Sequence, residues 1–176
     1  MDAHSSSADL AALGGYHQPE GYDCPFCEFV NGTTPFSPTN LCAPTDLVYQ
    51  DSVLTVLIAC DGFGEYEGHA MIVPNRHFEN IYDMPDDVLT AISLMSRRVA
   101  LASRQAWGPG GTSLRQHNEP AGNQHVWHYH LHVFPRFDGD RLYQQLRHRV
   151  DVDVRERKAQ ELSAALLEIL TLEGQV

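Results

Sequence analysis

The sequence predicts an α+β domain in which a five-stranded antiparallel sheet is backed by helices. Three observations carry that prediction. Short apolar runs joined by tight turns occupy the first half of the chain. Two longer segments repeat apolar residues at helical spacing, one mid-chain and one near the C-terminal end. A late extended segment alternates histidine with large apolar residues from His128 to His132.

Met1 to Glu20 contains Ser5-Ser6-Ser7 and Gly14-Gly15 and reads as a loose tail. Phe29 to Asp46, with Pro35, Pro38 and Pro44, reads as a long irregular loop. Leu47–Gln50 and Val53–Cys60 are two strands around a turn at Asp51-Ser52. Asp61–Gly68 is a glycine-punctuated loop, and His69–Val73 a third strand ending at Pro74. From Asp86 to Trp107, residues Val88, Leu89, Ile92, Met95, Val99 and Ala102 keep helical spacing behind an acidic start. Gly108-Pro109-Gly110-Gly111 stops that helix. Thr112–Gln116 is a fourth strand, Asn118–Asn123 a polar loop and Val126–Pro135 a fifth strand. A last amphipathic helix runs from Asp153 to Leu172. The predicted layout is a flexible tail over 1–20, one domain over 21–140 and a C-terminal extension with its helix over 141–176.

The 176 residues hold 12 Lys+Arg against 23 Asp+Glu, a formal charge of −11. Such an acidic balance argues against nucleic-acid polymers and anionic membranes as partners, because both bind through clustered Lys and Arg. No stretch reaches the roughly 18–20 apolar residues of a membrane helix. Met1–Glu20 has neither a basic start nor an apolar core, so it does not read as a secretory signal. A cytoplasmic location is the expectation, and with it free thiols. Cys42 and Cys60 then read as small apolar fillers.

Seven of the ten histidines fall between His69 and His132. On a strand, Trp127, Tyr129, Leu131 and Val133 share the face that packs under a helix. His128, His130 and His132 share the other, at spacings of about 6.5–7 Å. Three imidazoles on one face form either a metal site or a nucleophilic centre, since neutral imidazole attacks phosphorus well near its own pKa. The pattern leaves both open. Cys24-Pro-Phe-Cys27 is a redox motif or half of a zinc site. No strand is predicted before it, as a thioredoxin-like motif requires, and zinc needs further ligands of which histidines are the available kind.

The run His128-Tyr129-His130-Leu131-His132-Val133-Phe134 resembles the signature of the histidine triad (HIT) family. Gln124 and Val126 stand at the family's Gln-x-Val, with Asn118 in the loop before them. Gly68 to Asn80 resembles the family's strand ending in Pro-x-x-His. The resemblance implies a HIT-like, dimeric fold and hydrolysis or transfer of nucleoside monophosphates. It implies that His130 attacks the α-phosphorus of a dinucleoside polyphosphate or phosphoramidate and carries the nucleotidyl group, that His132 donates to phosphoryl oxygens, and that His128 supports the site. Asn118, Gln124 and His69 are expected at the ribose, phosphates and pocket edge. His125 replaces the family's small hydroxyl residue, so it takes over the leaving-group donor role or that preference differs. By the same resemblance Cys24, Cys27, His77 and His128 hold a structural zinc, as in bacterial-type members, with no organic cofactor. His117 and His148 are read as surface residues. The alternative readings are a nucleotide-binding regulatory module with little catalysis and a purely metal-binding protein.

Overall fold

The computed structural model describes residues 14–33, 41–64 and 67–175. In chain order the elements are α1 (Pro25–Val30), β1 (Leu47–Gln50), β2 (Leu54–Ile58), β3 (Asp61–Phe63), β4 (Ala70–Pro74), α2 (Asp86–Trp107), β5 (Gly111–Gln116), β6 (Leu131–Arg136), β7 (Arg147–Arg149) and α3 (Val152–Leu172). Five strands form an antiparallel sheet in the order β1-β2-β4-β6-β5, and β3 pairs with β7 in a separate two-stranded ribbon.

The sheet is covered on both faces, which explains why every residue of β2 and β4 is buried and all but Thr55 are apolar. Leu54, Val56, Ile58, Ala70, Ile72 and Val133 point into the larger core. There they meet Ile92, Met95, Val99 and Ala102 of α2 and Ala159, Leu162, Leu166 and Leu170 of α3. The alternate residues Leu57, Ala59, Met71 and Val73 pack against Phe26 and Phe29 of α1 on the opposite face. Helix α2 ends at Gly108, whose φ of 64° is the left-handed conformation that glycine adopts without cost. Helix α3 is fastened to α2 by Arg97 and Arg98 on Glu173 and by Trp107 on Glu161. It also carries the buried Arg155, whose Nε lies 3.3 Å from Oδ1 of the fully buried Asp46, outside the direction a hydrogen bond needs, and whose Nη1 donates to the Leu41 carbonyl oxygen.

Several expectations are corrected. Cys24 to Val30 is a capped helical turn: Pro25 opens it, and the Cys27 amide donates to Sγ of Cys24. Asp61–Phe63 is a strand paired with Arg147–Arg149. The fifth strand starts at Leu131, not Val126, because Pro74 ends β4 without an N–H to extend the ladder. The amide of Tyr129 instead donates to the Phe78 carbonyl oxygen. Tyr129, Leu131 and Val133 do face the core, but the Trp127 ring lies 5.7 Å from that of His17. Residues 15–18, expected in a loose tail, are tied down: the Gly15 amide to Glu119, the His17 and Gln18 amides to Glu79. The rest of the predicted tail, 1–13, lies outside the described residues.

Candidate functional site

The α1 face of the sheet carries two adjoining clusters. In the first, Sγ of Cys24 lies 3.2 Å from Nδ1 of His128, while Sγ of Cys27 lies 3.3 Å from Nδ1 of His77 and 3.6 Å from Nδ1 of His128. All four atoms fall within 4.8 Å of one another. A tetrahedral ion bonded at about 2.3 Å to sulfur and about 2.0–2.1 Å to nitrogen would separate S and N by about 3.6 Å, so this set can hold one metal ion. The imidazoles are pre-oriented for it. Nε2 of His128 donates to the Pro74 carbonyl oxygen at 2.9 Å, and Nε2 of His77 donates to Oε1 of Gln18 at 2.7 Å, which leaves each Nδ1 lone pair for the ion. Burial pushes the Cys24 thiol up to about 12 against the opposing pull of the Cys27 amide, so metal binding there displaces a proton.

The second cluster lines a cavity of about 200 Å³ between α1, the sheet and the β3–β7 ribbon. Nδ1 of His130 donates to the carbonyl oxygen of His128 at 2.8 Å, so Nε2 keeps its lone pair. The His130 ring stands between Phe26, at 5.2 Å, and His132, at 4.9 Å. Nδ1 of His132 lies 2.7 Å from Nε2 of His69, and His69 stacks on Phe134 with centroids 3.8 Å apart. Burial lowers His130 to about 4 against the pull of the His128 carbonyl, lowers His69 to about 3 and holds His132 well below its usual value. All three are therefore neutral near pH 7, the form in which imidazole is a nucleophile or hydrogen-bond partner rather than a cation.

The remaining expected site residues divide. His69 and His125 line the cavity, and Nε2 of His125 donates to Oδ1 of Asn123 at 3.1 Å. Asn118 and Gln124 do not line it. Asn118 accepts the Ile81 amide and exchanges bonds with Gln116, while Gln124 donates to the Glu79 and Val126 carbonyls and accepts the Glu119 amide. In this arrangement both amides bond within the loop and its neighbours. His148 lies on β7, exposed as expected. His117, expected at the surface, lines the cavity, its ring 6.1 Å from His132 and its Nδ1 donating to the Gly122 carbonyl oxygen.

Sequence reasoning also missed Arg115 and Arg147, both cavity-lining. Arg115 pairs in register with His132, in a row of facing residues that runs Leu57, Met71, His132, Arg115 across four strands. Its signal was the alternation of β5 beside the histidine strand, which becomes legible only once the register is known.

Comparisons with known proteins follow the same lines. The HIT domain profile matches residues 40–139. A HIT-like protein of Methanocaldococcus jannaschii is 31% identical over 118 residues, covering 66% of this chain and 81% of that protein. An adenylylsulfatase of Arabidopsis thaliana is 26% identical over 121 residues, covering 69% of this chain and 56% of that protein. Among solved structures, a Zn-bound histidine triad family protein from Mycobacterium smegmatis superposes with a TM-score of 0.70 at 28% identity, over 85% of this chain and 97% of that one.

Proposed function

Because the chain belongs to the HIT domain family, whose members are generally nucleotide hydrolases or transferases, we propose that it cleaves adenosine dinucleoside polyphosphates or nucleoside phosphoramidates at the α-phosphorus through a nucleotidyl-histidine intermediate on His130. One observation carries this reading. His130 is a buried, neutral imidazole whose Nδ1 proton is held by a backbone carbonyl, so that the Nε2 lone pair is available in a cavity.

Nε2 of His130 forms a bond to the α-phosphorus as the bond to the leaving group breaks, the electron pair departing with that group; a phosphate leaves as the oxyanion, and an amine takes up a proton from solvent as it leaves. Water then adds to phosphorus, the P–N bond breaks back onto Nε2, AMP is released and the water's proton passes to solvent. His132, fixed by His69, serves the phosphoryl oxygens, while His125 and His117 line the same cavity with a ring N–H held by Asn123 and by the Gly122 carbonyl respectively. Asn118 and Gln124 act as positioning residues, holding the loop that carries His125 and His117.

Cys24, Cys27, His77 and His128 would hold zinc, and four protein ligands leave no open position for substrate. When bound, that ion supplies a structural cross-link between α1 and the segment before β6. The small cavity suits a mononucleotide moiety, and among the described residues no helix is long and apolar enough to cross a membrane. A cytoplasmic homodimer that engages no nucleic-acid polymer completes the reading, supported by the acidic balance and by resemblance to the family. The test is AMP release from diadenosine polyphosphates and adenosine 5′-phosphoramidate. His130→Ala abolishes release while nucleotide binding, read by calorimetry, persists. Substantial release by that variant contradicts the mechanism. Binding without release by the unaltered protein would favour the regulatory-module alternative.

A further inference from the structure

Residues 14–18 are bound to the segment that carries His117 and His125 into the cavity, through groups that need them. Glu79 is only 5% exposed, and its two carboxylate oxygens accept the amides of His17 and Gln18. A buried carboxylate is costly unless its lone pairs are met, so these amides are part of the fold. The main-chain carbonyl of the same Glu79 accepts Nε2 of Gln124 at 2.6 Å. One residue thus grips segment 14–18 with its side chain and the histidine-bearing loop with its backbone. Its neighbour Asn80 adds a bond from Nδ2 to the Gly15 carbonyl oxygen at 3.0 Å.

Glu119 is where the segment meets the loop directly. Its backbone lies at φ 61° and ψ 165°, a region that glycine occupies readily and a residue with a side chain does not. The loop holds it there by main chain: its amide donates to Oε1 of Gln124, and its carbonyl oxygen accepts the amides of Gly122 and Gln124. Segment 14–18 and Tyr82 hold it by side chain. The carboxylate accepts the Gly15 amide at 3.0 Å and the Tyr82 hydroxyl, and its Oε2 lies 3.7 Å from Nε2 of His17. The approach is close enough that a Cβ on Gly14 would overlap the Tyr82 ring. Glu119 opens the turn Pro120–Gly122, whose last carbonyl takes Nδ1–H of His117, and the next residue, Asn123, takes the ring N–H of His125. Both cavity histidines therefore inherit their positions from a turn that begins at a disfavoured backbone conformation.

We infer that residues 14–18 form a strap and Glu119 is a positioning residue, their contact holding the Pro120–Gly122 turn so that His117 and His125 keep the arrangement used in nucleotidyl transfer. This rests on the nucleotidyl-transfer reading above. Neither the strap nor Glu119 touches the reacting atoms. With the carboxylate gone, nothing outside the loop opposes relaxation of the Glu119 backbone, and the two imidazoles shift with the turn. His130 stays in place, because its Nδ1–H is held by the His128 carbonyl and its ring by Phe26 and His132. The loss then falls on the reaction rather than on the fold or the nucleophile, and it reads in kcat more than in KM.

The test uses the full chain with zinc saturating and measures kcat, KM, Tm and the covalent nucleotidyl adduct for diadenosine triphosphate, adenosine 5′-phosphosulfate and adenosine 5′-phosphoramidate. Glu119→Gly removes the carboxylate while suiting a φ of 61°, and Gly14→Val blocks the seat on Tyr82 from the strap's side of the contact. Each should lower kcat about 10- to 100-fold, the scale of a small misplacement in a site, with KM changed less than about threefold. The double variant should be no worse than the more affected single one, because both break the same contact. Glu119→Gln still accepts the Gly15 amide and should keep most of kcat. Unchanged kcat in the two single variants, losses that add in the double one, or a fall in Tm with kcat intact overturns the strap and leaves nucleotidyl transfer standing. Absence of any adduct in the unaltered protein overturns the earlier reading and this inference with it.

Discussion

Nε2 of His128 donates to the carbonyl oxygen of Pro74 across 2.9 Å, and both residues are fully or nearly fully buried. A carbonyl can only accept, so the bond fixes the tautomer and leaves Nδ1 as the nitrogen beside the two cysteines. The backbone carbonyl of the same histidine holds Nδ1–H of His130. One residue thus joins the metal-ligating set to the nucleophile: its ring serves the ion and its carbonyl orients the base. Pro74 is suited to its part because it ends β4, and its carbonyl is turned to a side chain there.

Loss of the metal should therefore be felt at the nucleophile. Cys24→Ser or Cys27→Ser should abolish zinc binding, measured as metal per chain, and lower Tm by about 5–10 °C, at roughly 2–4 °C per kcal/mol for a chain of this length. His130→Ala should keep its full metal content. Zinc loss on removing His130 or His132 would point to the metal-binding alternative.

Gln18 fixes the tautomer of His77 from the N-terminal segment. Gln18→Ala should weaken zinc about 10–100-fold, as removal of a ligand's hydrogen-bond partner does. Competition against a calibrated chelator checks it. An unchanged affinity would mean that the Cys-His set is oriented without that segment.

The His69–His132 contact is a directional one. His69→Phe preserves the stack on Phe134 but removes the 2.7 Å bond to His132. Expected is a fall in kcat/KM of roughly 2–10-fold, the worth of one neutral hydrogen bond, with Tm nearly unchanged. A fall in Tm alone would assign His69 to the core.

Much of this site was legible in the sequence, and the reasons are local. Side chains that alternate on a strand can be sorted by face without knowing the neighbours, which is how the histidine row emerged. The Cys-x-x-Cys and Pro-x-x-His segments carry their own spacing. The α2 boundaries follow from Pro85-Asp86 and Gly108, signals contained within a few residues. What escaped depends on partners far along the chain. Asp61-Gly62-Phe63 and Arg147-His148-Arg149 are too short and too polar to read as strands until they pair. Arg115 joins the site through register with β6, and His117 by the turn of its loop. The bonds that tie Asn118 to Gln116 and Ile81, and Gln124 to Glu79 and Glu119, depend in the same way on which backbone groups the fold brings near.

Asp46 and Arg155 tie α3 to the turn before β1, and the pair is expensive to break from one side. Burial drives Asp46 up to about 6 against the opposing pull of the Ala43 amide and Arg155. Arg155→Met should cost about 3–5 kcal/mol at neutral pH by stranding the carboxylate. With Arg155 gone the folded-state pKa of Asp46 lies further above its unfolded value. Its contribution to stability is then present below the unfolded value, about 4, and is lost as pH rises through the folded one. The variant should thus lose less stability at pH 5 than at pH 7.5, and adding Asp46→Asn should remove most of that pH dependence. Urea melts at the two pH values decide it, and a penalty independent of pH would contradict the assignment.

The central claim is covalent transfer to His130, and the most direct measurement is intact-protein mass within milliseconds of mixing with an adenylyl substrate. The account predicts an increment of one adenylyl group that decays as AMP appears and is absent in His130→Ala. No increment from any of the three substrates, with nucleotide still bound, or an increment that survives in His130→Ala, would contradict it.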